Sequence, residues 1–247
     1  MALRIDLNCD MGEFPAAVAD GTQEALLRHV TSANIACGGH SGDEHTMRAT
    51  IEQALRWNVA IGAHPGYPDR PNFGRLELRL SPQEVADTVF EQISALAKIA
   101  AECGARIAHV KPHGALYNQA ARNHDLAAAI AQGVARWNTA KDVVMVGLAG
   151  SPMLQVFRDA GFPVAAEAFA DRRYEPDGSL RSRKFPGALI SDPAAAAQQA
   201  LNIVQHNKII AWDGTEVSIK AQTICIHGDS PGATDIAERV ARVFGSE

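Results

Sequence analysis

The chain has 247 residues, 47% of them hydrophobic and 21% charged, and carries a formal net charge of −5. That length suits one large α/β core better than two small domains. The acidic balance, with no run of Lys or Arg interleaved with aromatics, argues against a nucleic-acid partner.

The amino terminus turns polar after a few residues, and no apolar run approaches the length of a membrane span. A soluble, cytoplasmic chain with no membrane partner is the expectation. Cys9, Cys37, Cys103 and Cys225 are widely separated and form no CxxC pair, which reads as reduced thiols rather than disulfides or a zinc knuckle.

Short apolar runs recur, most of them followed by a longer segment with helical spacing of apolar residues. The first predicted strand covers 3–8, and Asn8, Asp10 and Glu13 lie at or just beyond its end. A second, over 31–37, carries Asn34 and leads into Gly38, Gly39, His40 and Asp43, while a third, over 58–64, ends at His64 with Tyr67 and Asp69 beyond. Ser81-Pro82 then supplies an N-cap and first turn for a long helix that Gly104 stops. The fourth strand, 106–112, delivers Lys111, His113 and Asn118; a fifth is read at 142–148.

The sixth strand, 163–169, contains Glu167 and runs into Asp171, Arg172 and Arg173. These open an irregular charged stretch, 170–187, read as a long functional loop or lid. Ser191-Asp192-Pro193 starts a second helix, and residues 208–222, with Asp213-Gly214 between β-prone flanks, read as a hairpin inserted outside the main sheet. The last strand, 223–228, delivers His227, Asp229 and Ser230, and Ser230-Pro231 reads as the start of a third helix.

Repeated βα units with strands buried on both faces demand a parallel sheet covered by helices, within a single domain spanning 1–247. The pattern itself leaves open whether that sheet closes into a barrel or stays open and doubly wound. In either form the loops after the strands share one rim, so polar residues at six of the seven strand ends are expected to meet.

At that rim Asp10, His64 and His113 offer one carboxylate and two imidazoles, a set suited to a divalent metal; the alternative is that they hydrogen-bond substrate or one another. His40 is a further ligand or proton carrier. Alternation along HVKPH puts His109, Lys111 and His113 on one inward face, and a buried lysine needs an acid or anion, with Asp10 or Glu13 as its protein partner. GGHSGD (38–43) and HGDSPGA (227–233) place small residues before helices, where backbone N–H groups favour an anion, with Arg172 and Arg173 supporting that reading.

The blocks DLNCDMGE (6–13), SANIACGGHSGD (32–43), GAHPGYPD (62–69), HVKPHGALYN (109–118), EAFADRRY (167–174) and ICIHGDSP (224–231) resemble those of the LamB/YcsF family, in family order and over nearly the whole chain. The resemblance implies an irregular (β/α) barrel, about seven-stranded by the strand count above, related to deacetylases and glycoside hydrolases. It implies ATP-dependent opening of the lactam ring of 5-oxo-L-proline to L-glutamate, as an A subunit working with 5-oxoprolinase subunits B and C, with Mg²⁺ accompanying the ATP. By analogy with the deacetylases, a protein-bound metal would fall on Asp10, His64 and His113.

Within that frame Asp10, Glu13, Lys111, His113 and His227 are the expected catalytic groups. Asn8, Asn34, Gly38, Gly39, His40, Tyr67, Glu167, Arg172, Asp229 and Ser230 are expected to hold substrate or phosphate. Lys111 and Arg172 would neutralise phosphate charge, Asp10 or Glu13 would deprotonate water, and His113 or His227 would protonate the departing nitrogen. A metal-dependent deacetylase or amidohydrolase without ATP, and a non-catalytic subunit that captures a small acid, are the competing readings. Self-association into a homo-oligomer is left open.

Overall fold

Residues 5–230 and 232–245 are described by the computed structural model. Its strands, in chain order, are β1 (Asp6–Met11), β2 (Ser32–Ala36), β3 (Ala60–His64), β4 (His109–Val110), β5 (Val144–Leu148), β6 (Val164–Phe169), β7 (Lys208–Ile210), β8 (Glu216–Ser218) and β9 (Thr223–Ile226). Seven of them form a closed barrel, β1-β2-β3-β4-β5-β6-β9, in which every pairing is parallel. The alternative of an open sheet is thereby removed: β9 bonds to both β6 and β1, leaving no edge.

The helices that cover the barrel are α1 (Pro15–Asp20), α2 (Thr22–Leu27), α3 (Glu44–Arg56), α4 (Pro82–Glu102), α5 (Gly114–Ala120), α6 (His124–Trp137), α7 (Met153–Asp159), α8 (Pro193–His206) and α9 (Ala233–Phe244). Ser81 caps α4 through a reciprocal pair with Glu84, and Gly104 takes the left-handed conformation just past its end, at φ 72°. Asp192 caps α8 by accepting from Ala195 N–H. No helix among the described residues is long and apolar enough to cross a membrane. β7 and β8 pair antiparallel in a separate two-stranded sheet, turning at Gly214 with φ 91°.

Several predicted boundaries move, each for a local reason. β1 begins at Asp6 and runs on to Met11, past the expected end at residue 8, because Asp10 sits inside the ladder with its charge satisfied across the barrel; residues 3–4 of that expectation lie outside the described residues. β3 starts at Ala60 because Asn58 turns left-handed, at φ 53°, on leaving α3. β4 is short, yet its ladder continues irregularly: Lys111 N–H donates to Ala63 C=O at 2.9 Å and His113 N–H to Pro65 C=O at 2.8 Å, while Pro112 between them has no N–H to give. The start of α9 lies at Gly232 and not at Ser230, whose hydroxyl is taken by Asp171 at 2.7 Å; Pro231 lies outside the described residues.

The barrel interior is polar where an ordinary barrel core is aliphatic. Asn8 on β1 donates to Glu167 on β6 at 3.0 Å and to Thr223 on β9 at 2.6 Å; Asn34 on β2 donates to Asn8 at 2.7 Å and accepts from His109 on β4 at 2.8 Å. Bonds between strands that are not neighbours in the sheet must cross the lumen. They form a hydrogen-bonded floor on which the residues nearer the carboxyl ends stand, with Glu167 Oε2 left without a partner.

Candidate active site

Above that floor opens a cavity of about 1130 Å³, lined by Asp10, Glu13, His64, Lys111, His113, Arg172, His227 and Asp229 among others. The strands β1, β3, β4, β6 and β9, or the loops that follow them, supply these groups. Convergence therefore follows from parallel strands ending at a common rim.

Lys111 is 2% exposed and its ammonium lies 2.9 Å from Asp10 Oδ1 and 3.0 Å from Glu167 Oε1, with Cys225 Sγ also at 3.0 Å. Burial alone would lower its pKa, but Asp10, Cys225 and Glu167 together hold it well above the ordinary lysine value. Of the two partners expected, Asp10 is in contact and Glu13 is not; Glu167 is the second acid. A cation already paired with two carboxylates has little charge to spare for phosphate.

Asp10 is also ionised. Burial pushes its pKa up, and His64 and Lys111 outweigh that and hold it well below the usual carboxylate range. Its Oδ1 accepts from Asn34 and Lys111, while Oδ2 lies 3.4 Å from His64 Nε2. Glu13 is likewise held low against its burial, by hydrogen bonds from His113 and His40.

The histidine tautomers follow from their outer partners. His64 Nδ1 faces the Lys111 carbonyl at 2.7 Å and must donate to it; His113 Nε2 faces the Phe73 carbonyl at 2.9 Å and must do the same. Burial keeps His113 below its ordinary pKa, favouring the neutral ring. The remaining nitrogens, His64 Nε2 and His113 Nδ1, sit 2.9 Å apart, and Glu13 Oε1 is 3.2 Å from the latter. With both outer nitrogens donating, the facing inner nitrogens and the Glu13 carboxylate are reconciled by a proton shared among them or by a cation.

Glu13, His40, His64 and His113 form the tight group able to hold a metal; Asp10 groups instead with Cys225 and His227. Relative to the expected set of Asp10, His64 and His113, the tight group keeps both histidines and has Glu13 in place of Asp10. His40 plays a supporting part: it stacks on His113 at 3.6 Å between centroids, its Nε2 lies 3.0 Å from Glu13 Oε1, and burial depresses its pKa to about 3, leaving it neutral and donating.

On the opposite side His227 Nδ1 lies 3.0 Å from Asp171 Oδ1, and Asp171 also accepts from His227 N–H and the Ser230 hydroxyl. Burial would raise the Asp171 pKa, but His227 and Ser230 hold it at about 2. The carboxylate therefore fixes the Nδ1–H tautomer and leaves Nε2 as the ring's working nitrogen, while the imidazole stacks on Phe169 at 5.3 Å. Asp171 was visible in the sequence only as one more acid at a strand end; nothing there set it apart as the partner of His227.

Other expected binding residues stand outside the cavity. Asn8, Asn34 and Glu167 belong to the interior floor. Tyr67 is 1% exposed, with its hydroxyl on Gln119. Gly39 packs under Gln92, where a Cβ would come within 2.4 Å of Oε1, and Gly38 N–H is spent on Ser41 C=O. The helix start after them is capped by Asp43 through Thr46, so an acidic side chain occupies the position proposed for an anion. Arg173 is exposed. Asp229 does border the cavity, with its carboxylate held by Arg183 and Arg75.

The LamB/YcsF family model matches residues 5–247. The chain belongs to the LamB/YcsF family. Relatives include proteins named as the A subunit of 5-oxoprolinase from Chloroflexus aggregans, 53% identical over 94% of this chain and 91% of the relative, and from Shouchella clausii, 49% identical over 96% and 92%. Among solved structures, a lactam utilization protein from Thermus thermophilus is 41% identical, covers 98% of this chain and 96% of its own, and superposes with a TM-score of 0.89. A family 4 carbohydrate esterase from Streptomyces lividans, 10% identical over 99% and 90%, shares the fold with a TM-score of 0.51. This LamB/YcsF chain thus carries the barrel of such esterases with its own set of buried acids and histidines.

Proposed function

We propose that the chain is the A subunit of an ATP-dependent 5-oxoprolinase and that it opens the lactam ring of 5-oxo-L-proline to L-glutamate together with subunits B and C. The observation that carries this reading is the 53% identity, over nearly the full length of both chains, to a protein named as the A subunit of 5-oxoprolinase. The cavity's chemistry suits the reaction. An unstrained lactam is a poor electrophile; transfer of the ATP γ-phosphoryl group to its carbonyl oxygen makes the ring carbon attackable by water, the adduct breaks its C–N bond to leave an acyl phosphate, and a second water releases phosphate and the carboxylate of glutamate.

The nitrogen that departs needs a proton: His227, held by Asp171 with Nε2 free, takes one from the attacking water at Nε2 and passes it to that nitrogen. Asp10 Oδ2, the carboxylate oxygen not engaged by Lys111 or Asn34, orients the attacking water. Lys111 keeps Asp10 charged and anchored to Glu167 rather than touching phosphate. The acceptor cluster suits a divalent cation on Glu13, His64 and His113, with Asp10 alongside; such an ion would supply Lewis-acid polarisation.

That same cluster favours one rival, a metal-dependent amidohydrolase that needs no ATP. The two are separated by supplying 5-oxo-L-proline, ATP and Mg²⁺ to the chain alone and to the assembled subunits. Glutamate formed in step with ADP by the assembly is expected. Glutamate formed by the chain without ATP would favour the rival, and none under either condition would end the proposal.

A further inference from the structure

Arg172 is buried, at 5% exposure, and lines the cavity. One of its terminal nitrogens donates to the Arg181 carbonyl at 2.7 Å, its Nε has no partner, and no carboxylate among the described residues pairs with it. The charge that acts on it most is another cation, Arg183, whose guanidinium is already given to Asp229; Asp171 acts the other way but less, and its oxygens are taken by His227 and Ser230. Burial and that like charge depress its pKa to about 10, the opposite of what an ion pair does. A buried guanidinium without an acid is costly unless the functioning complex brings an anion to it.

The position is fixed in advance. Gln199 Nε2 donates to the carbonyls of Phe169, Ala170 and Arg172, at 2.7, 3.2 and 2.8 Å, clamping the backbone that carries the arginine. Arg172 also follows directly on Asp171, which holds His227.

We infer that Arg172 binds the carboxylate of 5-oxo-L-proline and thereby sets the enzyme's preference for an acidic lactam over a neutral one. This rests on the proposed reaction and adds to it the part of the substrate that is read. In 5-oxoproline the carboxylate is borne by the ring carbon bonded to the lactam nitrogen. Anchoring that group at Arg172 brings the departing nitrogen toward His227, the residue held by Arg172's own chain neighbour. A planar guanidinium with one edge spent on a backbone carbonyl has the remaining donors to match one carboxylate. A phosphoryl group would call for further free cations, and Arg183 and Lys111 are both paired.

The test is steady-state kinetics of the assembled enzyme carrying R172Q or R172K. For R172Q the KM for 5-oxo-L-proline should rise about 30-fold or more, with R172K intermediate, while the KM for ATP stays within about twofold. The wild-type assembly should prefer 5-oxo-L-proline to 5-oxo-L-prolinamide by at least about 100-fold in kcat/KM, a measurement that needs no variant and holds if R172Q does not fold. An amide turned over as well as the acid would overturn the inference. So would an R172Q enzyme of wild-type melting temperature and unchanged KM for 5-oxo-L-proline, or one whose KM for ATP rises instead. A wild-type assembly inactive on 5-oxo-L-proline would overturn the functional reading and this inference with it; an active wild type with an indifferent R172Q overturns this inference alone.

Discussion

Gly62 on β3 has an ordinary strand conformation, and its lack of a side chain is dictated by a neighbour. A Cβ there would stand 2.0 Å from His109 Nε2, the nitrogen that joins His109 to Asn34 in the interior floor. Gly62→Ala must therefore push the imidazole off Asn34 or bend the strand, and a loss of about 1–3 kcal/mol is expected from overpacking. Urea unfolding checks it; wild-type stability in the variant would mean that the ring moves freely. Asp171 makes the complementary case, a residue whose effect should fall on rate. Asp171→Asn keeps the shape but loses the charge that fixes the His227 tautomer. In the assembled enzyme kcat should fall roughly 10²–10⁴-fold, with the KM for 5-oxo-L-proline changed by no more than about threefold. Equal losses in both constants would assign Asp171 to substrate binding instead.

Among the elements, α4 is the one whose sequence signals all agree. Ser81 accepts from Glu84 N–H, Glu84 reaches back to Ser81 N–H at 2.7 Å, Pro82 fills the first turn and Gly104 closes the far end. Ser81→Ala removes half of that exchange and should cost about 1 kcal/mol, read as a lower urea midpoint with unchanged slope. No shift would show that the helix is held by its buried face alone. Such caps were legible because they act within a few residues of themselves. β1 was less so: an acid at position 10 looks like the end of a strand until its partners, Asn34 and Lys111, are known to lie 24 and 101 residues away. Ser230-Pro231 misled for the same reason, since the Ser230 hydroxyl that resembles a cap is claimed by Asp171, 59 residues earlier. The alternation along HVKPH did place Lys111 inward, and of the two acids offered for it Asp10 answers, while only the fold could tell that Glu167 would join it and Glu13 would not.

At the scale of the molecule, closure of the barrel turns a list of strand ends into a ring, and the ring's loops are tied together over the cavity. Asp229, from the loop after β9, pairs with Arg183 from the segment after β6, through both carboxylate oxygens at 2.7 and 3.2 Å, and with Arg75 from the segment after β3. Three loops that are distant in sequence thus meet on one carboxylate at the cavity's border. The Arg75 side chain is 41% exposed, so that arm is screened by solvent, whereas the Arg183 arm, at 25%, is better sheltered. A single acid joining two cations is also the point at which neutralising one charge releases both. Asp229→Asn should leave the barrel intact, with a melting temperature close to wild type, while hydrogen exchange quickens in residues 70–79 and 173–187 together. Raised salt should bring wild-type exchange in the 70–79 segment toward that of the variant sooner than in 173–187, because the Arg75 arm is the more exposed. Unchanged exchange in both segments would mean that backbone bonds such as Arg173 N–H to Ala188 C=O, at 2.9 Å, and Gly74 N–H to Asp69 C=O, also at 2.9 Å, hold the rim without the ion pairs.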